Sequence, residues 1–494
     1  MRSAIGIDFG TTNTRLAFCD GIQVRILTEP QAVSPFIPST IAYRQGRPIA
    51  YGQEARTIHG DEAIASLKWL LAQDATLDVG IPDRGISPTE VVADFVGHLK
   101  RIFLANRVDP EEHMVAVTVP VGYPLRARRA LVAAFQKGGV PISVLYPEPV
   151  AALYAAAPAT TREGKVCAIL DWGGGTLDIA CLRIKEGKAY VLSTEGLKEG
   201  GDDFDAWIAR DALDVFLSRN LDLQNDRDLI WKTKQKGLLL RAESAKWDYN
   251  YNPTLRWDGF VGNYDLEYRL DADLFRERLK NPVSKAIRLF SQAVKDSGEP
   301  ERLIKPIILS GGTRNLDFVR HSLEGEFGDR IIDELPKTGH FKDVDKNRID
   351  SATALGAALL MANESRPVFS RSIGVRMADA RHTADMDLFW PIFHRGEIIQ
   401  PQKTKEVELF VTNPSCGVAR LLICDQLEPD LEPAGRLLRF FPVPVSKEEI
   451  SIFAKFRVTE DLLLEVTVIG AIAGINPEDS RCYIANLAFG FDLP

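Results

Sequence analysis

The sequence predicts an α/β protein of two similar lobes followed by an all-β region, and three observations support this. Residues 5–14 and 168–178 resemble each other, because each is an apolar run that ends in an aspartate and turns through Gly and Thr. Strand-like and helix-like segments alternate up to about residue 364, as in sheets packed between helices. Beyond that point apolar residues alternate over short segments, which is typical of antiparallel strands.

The two similar stretches carry the features of a polyphosphate site. Glycine allows the backbone to approach a ligand closely. The N–H groups and Thr hydroxyls of such a turn can form a concave anion site. Asp8 and Asp171, each at a strand end, suit a hydrated Mg²⁺, which accepts few carboxylates and keeps several waters. Two facing turns would therefore hold a polyphosphate from both sides, whereas one turn alone is more typical of an ordinary hairpin.

Composition bounds the class of protein. The 494 residues are enough for about three domains, and 45% hydrophobic with 26% charged residues is typical of a soluble globular chain. A net charge of −8 argues against nucleic acid as a partner. The six cysteines form no CxxC pair and indicate buried thiols in a reducing compartment. The seven histidines show no HExxH spacing, so a zinc site is not expected.

The chain shows no secretory signal, since the first apolar residues stop at Asp8. The longest apolar stretch, residues 462–475, is too short and too polar to span a bilayer. We therefore expect a cytoplasmic monomer without membrane contact.

In the α/β region, strands are predicted at residues 4–9, 15–19, 114–119, 165–170, 179–184 and 305–309. Ser87 and Glu90 form a capping box with Pro88 at the first helical position, and apolar residues follow at helical spacing. A helix is also predicted over residues 125–137, and others begin near residues 148, 203, 315 and 350.

After residue 364 the pattern predicts a polar linker at 366–371 and a β-rich domain over 372–494. Residues 456–458 and 462–468 alternate on both sides of a turn, which indicates a hairpin.

Taken together, the motifs resemble those of the Hsp70 chaperone family. The matching segments are two phosphate loops, a connecting segment with its proline and Glu-Pro turn, a GGEDFD-like run, and an adenosine-side loop with the helix behind it: residues 6–12, 171–176, 117–120, 148–152, 200–205, 310–314 and 350–356.

The resemblance implies an actin-like (ribonuclease H-like) ATPase domain over residues 1–365. Its lobes would comprise about 1–160 plus 350–365, and 161–349. It also implies ATP or ADP with Mg²⁺ as ligands, a β-sandwich-like peptide-binding domain, and extended polypeptides with J-domain or nucleotide-exchange co-chaperones as partners.

The resemblance also assigns roles to individual residues. The catalytic set would be Lys68, Asp171, Glu148 and Asp8, with Asp8 and Asp171 holding Mg²⁺ largely through water. The nucleotide-binding set would be Gly10, Thr11, Thr12, Asn13, Gly173, Gly174, Gly175, Thr176, Gly200, Gly201, Asp202, Glu243, Lys246, Trp247, Gly311, Gly312, Thr313, Arg314 and Asp350.

Several of these residues also have an ordinary interpretation. Lys68 alone would be a solvated lysine on an amphipathic helix. Glu148 could serve only the helix dipole, and Glu243 and Lys246 could be a surface i,i+3 ion pair. Arg126, Arg128 and Arg129 are interpreted as a solvated helix face, although the corresponding face in the family lies near the co-chaperone surface.

The chain also departs from the family pattern. Trp247 stands where the family has an arginine that stacks on adenine, and the loop at 310–314 is one residue shorter. The stretch between residues 51 and 87 is short, the family's leucine-rich linker is replaced, and a helical lid is not expected after the β-rich domain.

These features predict a short, lidless Hsp70-like ATPase whose nucleotide state changes the grip of its β domain on a polypeptide. A nucleotide-regulated adaptor or co-chaperone with little turnover is the alternative. A small-molecule kinase of the same fold is a third, weaker hypothesis.

Overall fold

The structure, a computed structural model, describes most of the chain. The described residues are 2–32, 34–57, 63–72, 85–157, 162–332, 334–336, 341, 349–378, 387–401, 403–411, 415, 417–426, 434–446, 451–459, 462–469, 481–484 and 489–492.

The first part of the chain alternates strands and helices, as predicted. Its strands are β1 (Ala4–Phe9), β2 (Asn13–Cys19), β3 (Val24–Leu27), β4 (Ile37–Pro38), β5 (Ile41–Arg44), β6 (Arg47–Tyr51), β7 (Ala63–Ile64), β8 (Met114–Val119) and β9 (Val144–Pro147). Its helices are α1 (Gly52–Thr57), α2 (Leu67–Ala72), α3 (Pro88–Ala105), α4 (Leu125–Lys137) and α5 (Glu148–Ala156).

The next part repeats this alternation. Its strands are β10 (Val166–Trp172), β11 (Leu177–Lys185), β12 (Lys188–Leu197), β13 (Thr254–Val261), β14 (Tyr264–Arg269), β15 (Ile304–Ser310) and β16 (Ile331–Ile332). Its helices are α6 (Gly201–Arg219), α7 (Arg227–Trp247), α8 (Ala272–Ser297), α9 (Asp317–Phe327) and α10 (Ala352–Ala362).

The described residues after 364 form strands only. They are β17 (Pro367–Phe369), β18 (Ser372–Ala378), β19 (Asp387–Phe393), β20 (Thr404–Phe410), β21 (Val418–Gln426), β22 (Arg436–Pro444), β23 (Ser451–Val458), β24 (Leu464–Ile469), β25 (Arg481–Ile484) and β26 (Phe489–Asp492).

Two mixed sheets define two lobes with one topology. The sheet of lobe I has the order β3-β2-β1-β8-β9, and that of lobe II begins β12-β11-β10-β15-β16. In each, the central strand pairs antiparallel with the next strand and parallel with a later one. Helix α10 packs on lobe I, against α5 and β1. The duplication seen in the sequence is therefore a duplication of structure, and it places Asp8 and Asp171 at equivalent strand ends.

Local sequence signals account for the helix starts. The Ser87 side chain accepts a hydrogen bond from the Glu90 amide at 3.3 Å, and Glu90 accepts one from the Ser87 amide at 3.1 Å, as the capping box predicts. The predicted helices at 125–137 and 148 are confirmed by α4 and α5.

Strands β18–β25, here called the β module, form two four-stranded antiparallel sheets. Their orders are β19-β18-β21-β22 and β20-β23-β24-β25. Ile423 from the first sheet and Phe456 from the second are fully buried in one apolar cluster. The predicted hairpin is confirmed by the pairing of β23 with β24, and its turn residues 460 and 461 lie outside the described part.

The stretch predicted as a polar linker is part of a sheet instead. Strand β17 pairs with β26, and β26 pairs with β12, so both extend the sheet of lobe II. Val368 and Phe369 are fully buried, which explains why this short segment is ordered against the lobe. The last described strand, which falls within the predicted β-rich domain, is thus built into the sheet of lobe II.

Candidate functional site

A large cavity lies between the two lobes, where the β1–β2 and β10–β11 turns face each other. Its volume is about 1080 Å³. Most of the predicted site residues line it, namely Asp8, Gly10, Thr11, Thr12, Asn13, Lys68, Glu148, Asp171, Gly173, Gly174, Gly175, Thr176, Gly201, Asp202, Glu243, Lys246, Trp247, Gly311, Gly312, Thr313 and Asp350. The fold therefore brings together residues that are far apart in the sequence.

Two of the predicted site residues lie behind the residues that line the cavity. Gly200 packs on the backbone of Gly174, where an added Cβ would overlap the Gly174 carbonyl. Arg314 is buried and pairs with Asp350 at 3.4 Å. Both residues support lining residues, and neither lines the cavity itself.

The turn of lobe I is held by a small polar network. Ser39 donates a hydrogen bond to the Gly10 carbonyl at 2.8 Å, and its hydroxyl also meets that of Thr14 at 3.0 Å. Asp8 pairs with Arg15, whose Nη1 lies 3.0 Å from Oδ2. The Thr118 hydroxyl lies 3.4 Å from the other Asp8 oxygen. The Asp8 carboxylate is thus fixed at the strand end, facing the cavity.

The turn of lobe II carries two carboxylates side by side. Asp171 lies directly opposite Asp178 in the β10–β11 pair, and the Thr176 hydroxyl donates to Asp178 at 2.8 Å. The Thr12 hydroxyl donates across the cleft to Asp202 at 3.3 Å, so a lobe I turn contacts a lobe II helix start. The two turns therefore approach each other closely across the cavity.

Two glycines are required by this close approach. A Cβ on Gly174 would overlap the Thr12 hydroxyl and approach the Asp202 carboxylate at 2.7 Å. Gly311 has φ +85°, and a Cβ there would overlap the Trp172 carbonyl. At Gly311 only glycine combines the left-handed backbone with this contact.

Lys68 and Glu148 form a buried ion pair at the base of the cavity. Helix α2 carries Lys68, which is 5% exposed, and Glu148 opens α5. Tyr123 supports Lys68, because its hydroxyl donates to the Lys68 carbonyl at 2.9 Å and its ring centroid lies 5.8 Å from Nζ. The interpretation of Lys68 as a solvated lysine is therefore wrong.

The carboxylates at the cavity base are destabilised in their charged form. Burial raises the pKa of Glu148, and neighbouring Asp8 and Asp178 raise it further against the opposing effect of Lys68. Burial, followed by Asp8 and Asp178, raises the pKa of Asp171 to about 7, while Arg15 lowers it. Burial also raises the pKa of Asp178. Such a cluster favours a bound cation, which removes the repulsion.

This donor set fits a hydrated Mg²⁺ better than a directly ligated metal. Among the described residues, no group of three or more His, Cys, Asp or Glu side chains is placed to hold a metal ion. Two carboxylates facing a polar cavity agree with an ion that keeps most of its water.

On its lobe II side, the cavity is lined by Lys246, Trp247 and Gly312. Lys246 is buried between Asp205, at 2.8 Å, and the Gly201 carbonyl, at 2.9 Å. The Trp247 indole is 45% exposed and lies across from Gly312. The interpretation of Lys246 and Glu243 as an ion pair with each other is wrong, since each pairs elsewhere.

Three contacts close the upper cleft. Glu243 pairs with Arg56 of lobe I. Lys236 donates to the Ala63 carbonyl at 3.2 Å, and Lys198 lies 4.0 Å from the ring centroid of Trp69. The structure therefore shows the two lobes in contact across this part of the cleft.

Sequence reasoning missed Arg15, Tyr123 and Asp178 as members of the site. Arg15 and Asp178 each stand seven residues after the strand-end aspartate of their lobe, and this shared spacing was the available signal. Tyr123 carries no comparable sequence signal.

Of the three arginines of α4 predicted to form a solvated face, Arg126 and Arg129 are exposed, whereas Arg128 is buried. Arg128 is 4% exposed. Its guanidinium donates to the Tyr123 and Val121 carbonyls at 2.9 and 3.0 Å, which holds the segment that presents Tyr123. Arg129 lies 4.7 Å from the ring centroid of Tyr483, so α4 contacts the β module.

The fold and the cavity define a class of protein, the two-lobed actin-like nucleotide-binding proteins. Comparison of the sequence with known families gives the particular one: the family described as Hsp70 protein matches residues 61–362, more than half of the chain. The chain belongs to the Hsp70 family, as its motifs predicted. Proteins of this family bind ATP or ADP with Mg²⁺, act as chaperones and bind polypeptides. No described helix is both long and apolar enough to cross a membrane.

Proposed function

We propose that the protein binds Mg-ATP between its lobes, hydrolyses it slowly, and uses the nucleotide state to change the grip of the β module on extended polypeptides. The observation that carries the proposal is the pair of turns bearing Asp8 and Asp171, which face one cavity with the Lys68–Glu148 pair at its base.

The roles of the side chains follow from their charges and contacts. Thr11, Thr12 and the glycine turns would bind phosphate oxygens through hydroxyl and N–H groups. Asp8 and Asp171 would hold the hydration shell of Mg²⁺, which when bound neutralises phosphate charge. Hydrolysis of a phosphoanhydride depends mostly on positioning and charge neutralisation, which this set can supply.

Lys68 is the candidate for positioning the attacking water. Its ammonium already contacts Glu148, so one of its remaining donors can hold a water oxygen. The adjacent carboxylates, Glu148 and Asp171, have raised pKa values because of burial. A carboxylate poised near neutral pH is suited to accept a proton from that water.

The nucleoside would lie against lobe II, between Trp247 and Gly312. An indole supplies a large apolar face for a purine, and Lys246 lies within 5.2 Å of the Trp247 ring centroid. Glu243 contacts Arg56 across the cleft, so opening of the lobes on this side would separate the pair.

The β module is the proposed polypeptide-binding part, with J-domain or nucleotide-exchange proteins as co-chaperones. Its strands form two four-stranded antiparallel sheets, and large apolar side chains are exposed on them: Leu388, Trp390, Phe410, Leu437, Phe440 and Phe453. An extended peptide could also pair with an edge strand such as β20.

The alternative function is a nucleotide-regulated adaptor with little turnover. The observation that favours it is the anchoring of β17 and β26 in the sheet of lobe II. A module held by both its preceding and following strands has less freedom to move with each nucleotide state.

The deciding experiment measures phosphate release and ADP affinity of the full chain, together with release of a fluorescent apolar peptide on addition of ATP. Steady turnover with ATP-dependent peptide release supports the chaperone. Tight nucleotide binding without turnover supports the adaptor. Absence of Mg-dependent adenine nucleotide binding would overturn both.

A further inference from the structure

The two strand-end aspartates occupy equivalent positions in their sheets, but the residues that pair with them on the neighbouring strand have opposite charges. Arg15 lies directly opposite Asp8 in the β1–β2 pair, and Asp178 lies directly opposite Asp171 in the β10–β11 pair. Directly opposed residues of antiparallel strands place their side chains on the same face, about 5 Å apart. The equivalent positions of the two lobes therefore carry opposite charges toward the same cavity.

The contacts of Arg15 leave part of its guanidinium unused. Nη1 donates to Asp8 at 3.0 Å, and the planar group lies 4.6 Å from the ring centroid of Phe36. Nε is buried and has no hydrogen-bond partner in the described part of the chain. A guanidinium has five N–H donors, so the Asp8 pair does not saturate it.

Arg15 is also positioned on the cavity side of the hairpin. Its side chain is 14% exposed, and it lines the same cavity as Thr11, Thr12 and Gly174. An arginine that served only to hold the hairpin together could turn its charged group away from the turns. Here the charged group pairs with the strand-end carboxylate of Asp8, in the cavity that both glycine turns line.

We propose that Arg15 is a phosphate-binding residue, which supplies a fixed positive charge to the polyphosphate and makes nucleotide binding less dependent on Mg²⁺. This inference rests on the proposed function. Arginine binds phosphate through paired, charge-assisted hydrogen bonds. Because Arg15 also pairs with Asp8, it reduces the negative charge that the cation must offset on the lobe I side.

The test compares ADP and adenosine binding by calorimetry, in excess Mg²⁺ and in EDTA, for the full chain and for Arg15→Ala. Wild type should lose about tenfold or less in ADP affinity when Mg²⁺ is removed. Arg15→Ala should lose about 100-fold or more, since a hydrogen bond between charged groups contributes roughly 10- to 100-fold. Adenosine, which has no phosphate, should bind both proteins equally.

Two further variants keep the test decisive. Arg15→Lys retains a charge and should restore most of the ADP affinity in EDTA. Arg25→Ala removes an arginine of the neighbouring strand β3, which donates to the Asn106 carbonyl at 3.2 Å outside the cavity, and should match wild type. Thermal unfolding of each variant shows whether it is folded.

Three results would overturn the inference. The first is an equal loss of ADP affinity in EDTA for wild type and Arg15→Ala. The second is a parallel loss of ADP and adenosine affinity in Arg15→Ala, which would show a structural role. The third is failure of wild type to bind ADP even with Mg²⁺, which would overturn the proposed function as well, whereas the first two leave it standing.

Discussion

The two lobes share a strand order but differ at the strand position that faces the cavity. In lobe I, Asp8 stands opposite Arg15, and in lobe II, Asp171 stands opposite Asp178. The first pair is an ion pair, whereas the second places like charges together and depends on the Thr176 hydroxyl and on neighbouring cations. Equivalent positions of the two lobes thus carry a positive side chain, Arg15, in lobe I and a second carboxylate, Asp178, in lobe II. The carboxylate pair of lobe II favours a nearby cation.

The lobes also differ at the outer edge of their sheets. The sheet of lobe I reaches β3 beyond β2, whereas that of lobe II continues from β12 to β26 and β17. Phe491 of β26 is fully buried and packs edge-on against Tyr146 of lobe I at 4.9 Å between ring centroids. The Tyr146 hydroxyl donates to the Ser365 carbonyl at 2.8 Å. The added edge of lobe II therefore contacts lobe I and carries the strands that flank the β module.

The largest expected effect tests this edge. Phe491→Ala should lower the free energy of unfolding by about 3–5 kcal/mol, because removing a buried phenyl ring loses transfer energy and leaves a cavity. Urea unfolding measures the loss, and hydrogen exchange of the Val368 amide should accelerate because Val368 pairs with Gly490 of β26.

The matched control is Phe410→Ala on β20, where the ring is 72% exposed. It should change stability by about 0.5 kcal/mol or less. Equal stability of the two variants would show that β26 does not hold lobe II and the β module together.

The second prediction concerns the two candidate catalytic groups, one from each lobe. Lys68 comes from lobe I and Asp171 from lobe II, and we expect Lys68→Ala and Asp171→Asn each to reduce ATP turnover about 100- to 1000-fold, since each removes a charge from the reacting centre. Phosphate release measures turnover, and calorimetry should show that ADP still binds.

Lys100→Ala removes a lysine from a surface pair with Glu111 and should leave turnover unchanged. Undiminished hydrolysis in Lys68→Ala would remove it from the reaction and leave its contact with Glu148 as a structural pair.

Much of this arrangement could be predicted from the sequence, for a physical reason. A glycine-rich turn that follows an apolar strand indicates a phosphate site more strongly when it occurs twice in one chain. A capping box involves only four consecutive residues, so the local sequence identifies it. The strand ends at Asp8 and Asp171 and the helix starts at Pro88, Leu125 and Glu148 were therefore predictable. These features depend on short-range geometry, which the local sequence encodes.

The features that were missed depend on long-range packing. Val368 and Phe369 stand in a segment that resembles a polar linker, and only their pairing with residues 489–491 makes them a strand. Arg128 has the sequence context of a solvated residue and is buried because its guanidinium meets two loop carbonyls. No local pattern encodes such partners.

The third prediction uses the charge difference between the lobes. The pKa of Asp171 is raised to about 7 from an ordinary value of 3.8, first by burial and then by Asp8 and Asp178. Between these values the folded state binds more protons than the unfolded state, so the free energy of unfolding must fall as pH rises through that window. In nucleotide-free protein with EDTA we expect a fall on the order of 2 kcal/mol from pH 5 to pH 8.

Denaturant unfolding at a series of pH values measures this slope. Asp178→Asn removes one of the repelling charges and should make the fall shallower, and Mg-ADP should do the same in wild type. If the free energy of unfolding fell more steeply with pH in Asp178→Asn, the raised pKa of Asp171 could not be assigned to its repulsion by Asp178.

The smallest predicted effect concerns the nucleoside side, where lobe II supplies Trp247, Lys246 and Gly312. If the indole stacks on adenine, Trp247→Ala should weaken ADP binding by about 1–2 kcal/mol, as expected for loss of one base–aromatic stack. Trp247→Phe should recover part of it, and Trp390→Ala, which removes an exposed indole from the β module, should have no effect. Calorimetry with ADP and with adenosine separates this contact from the phosphate site, because a stacking loss lowers both affinities equally. A loss confined to ADP would instead place Trp247 near the phosphates, and the base would then have to lie elsewhere on lobe II.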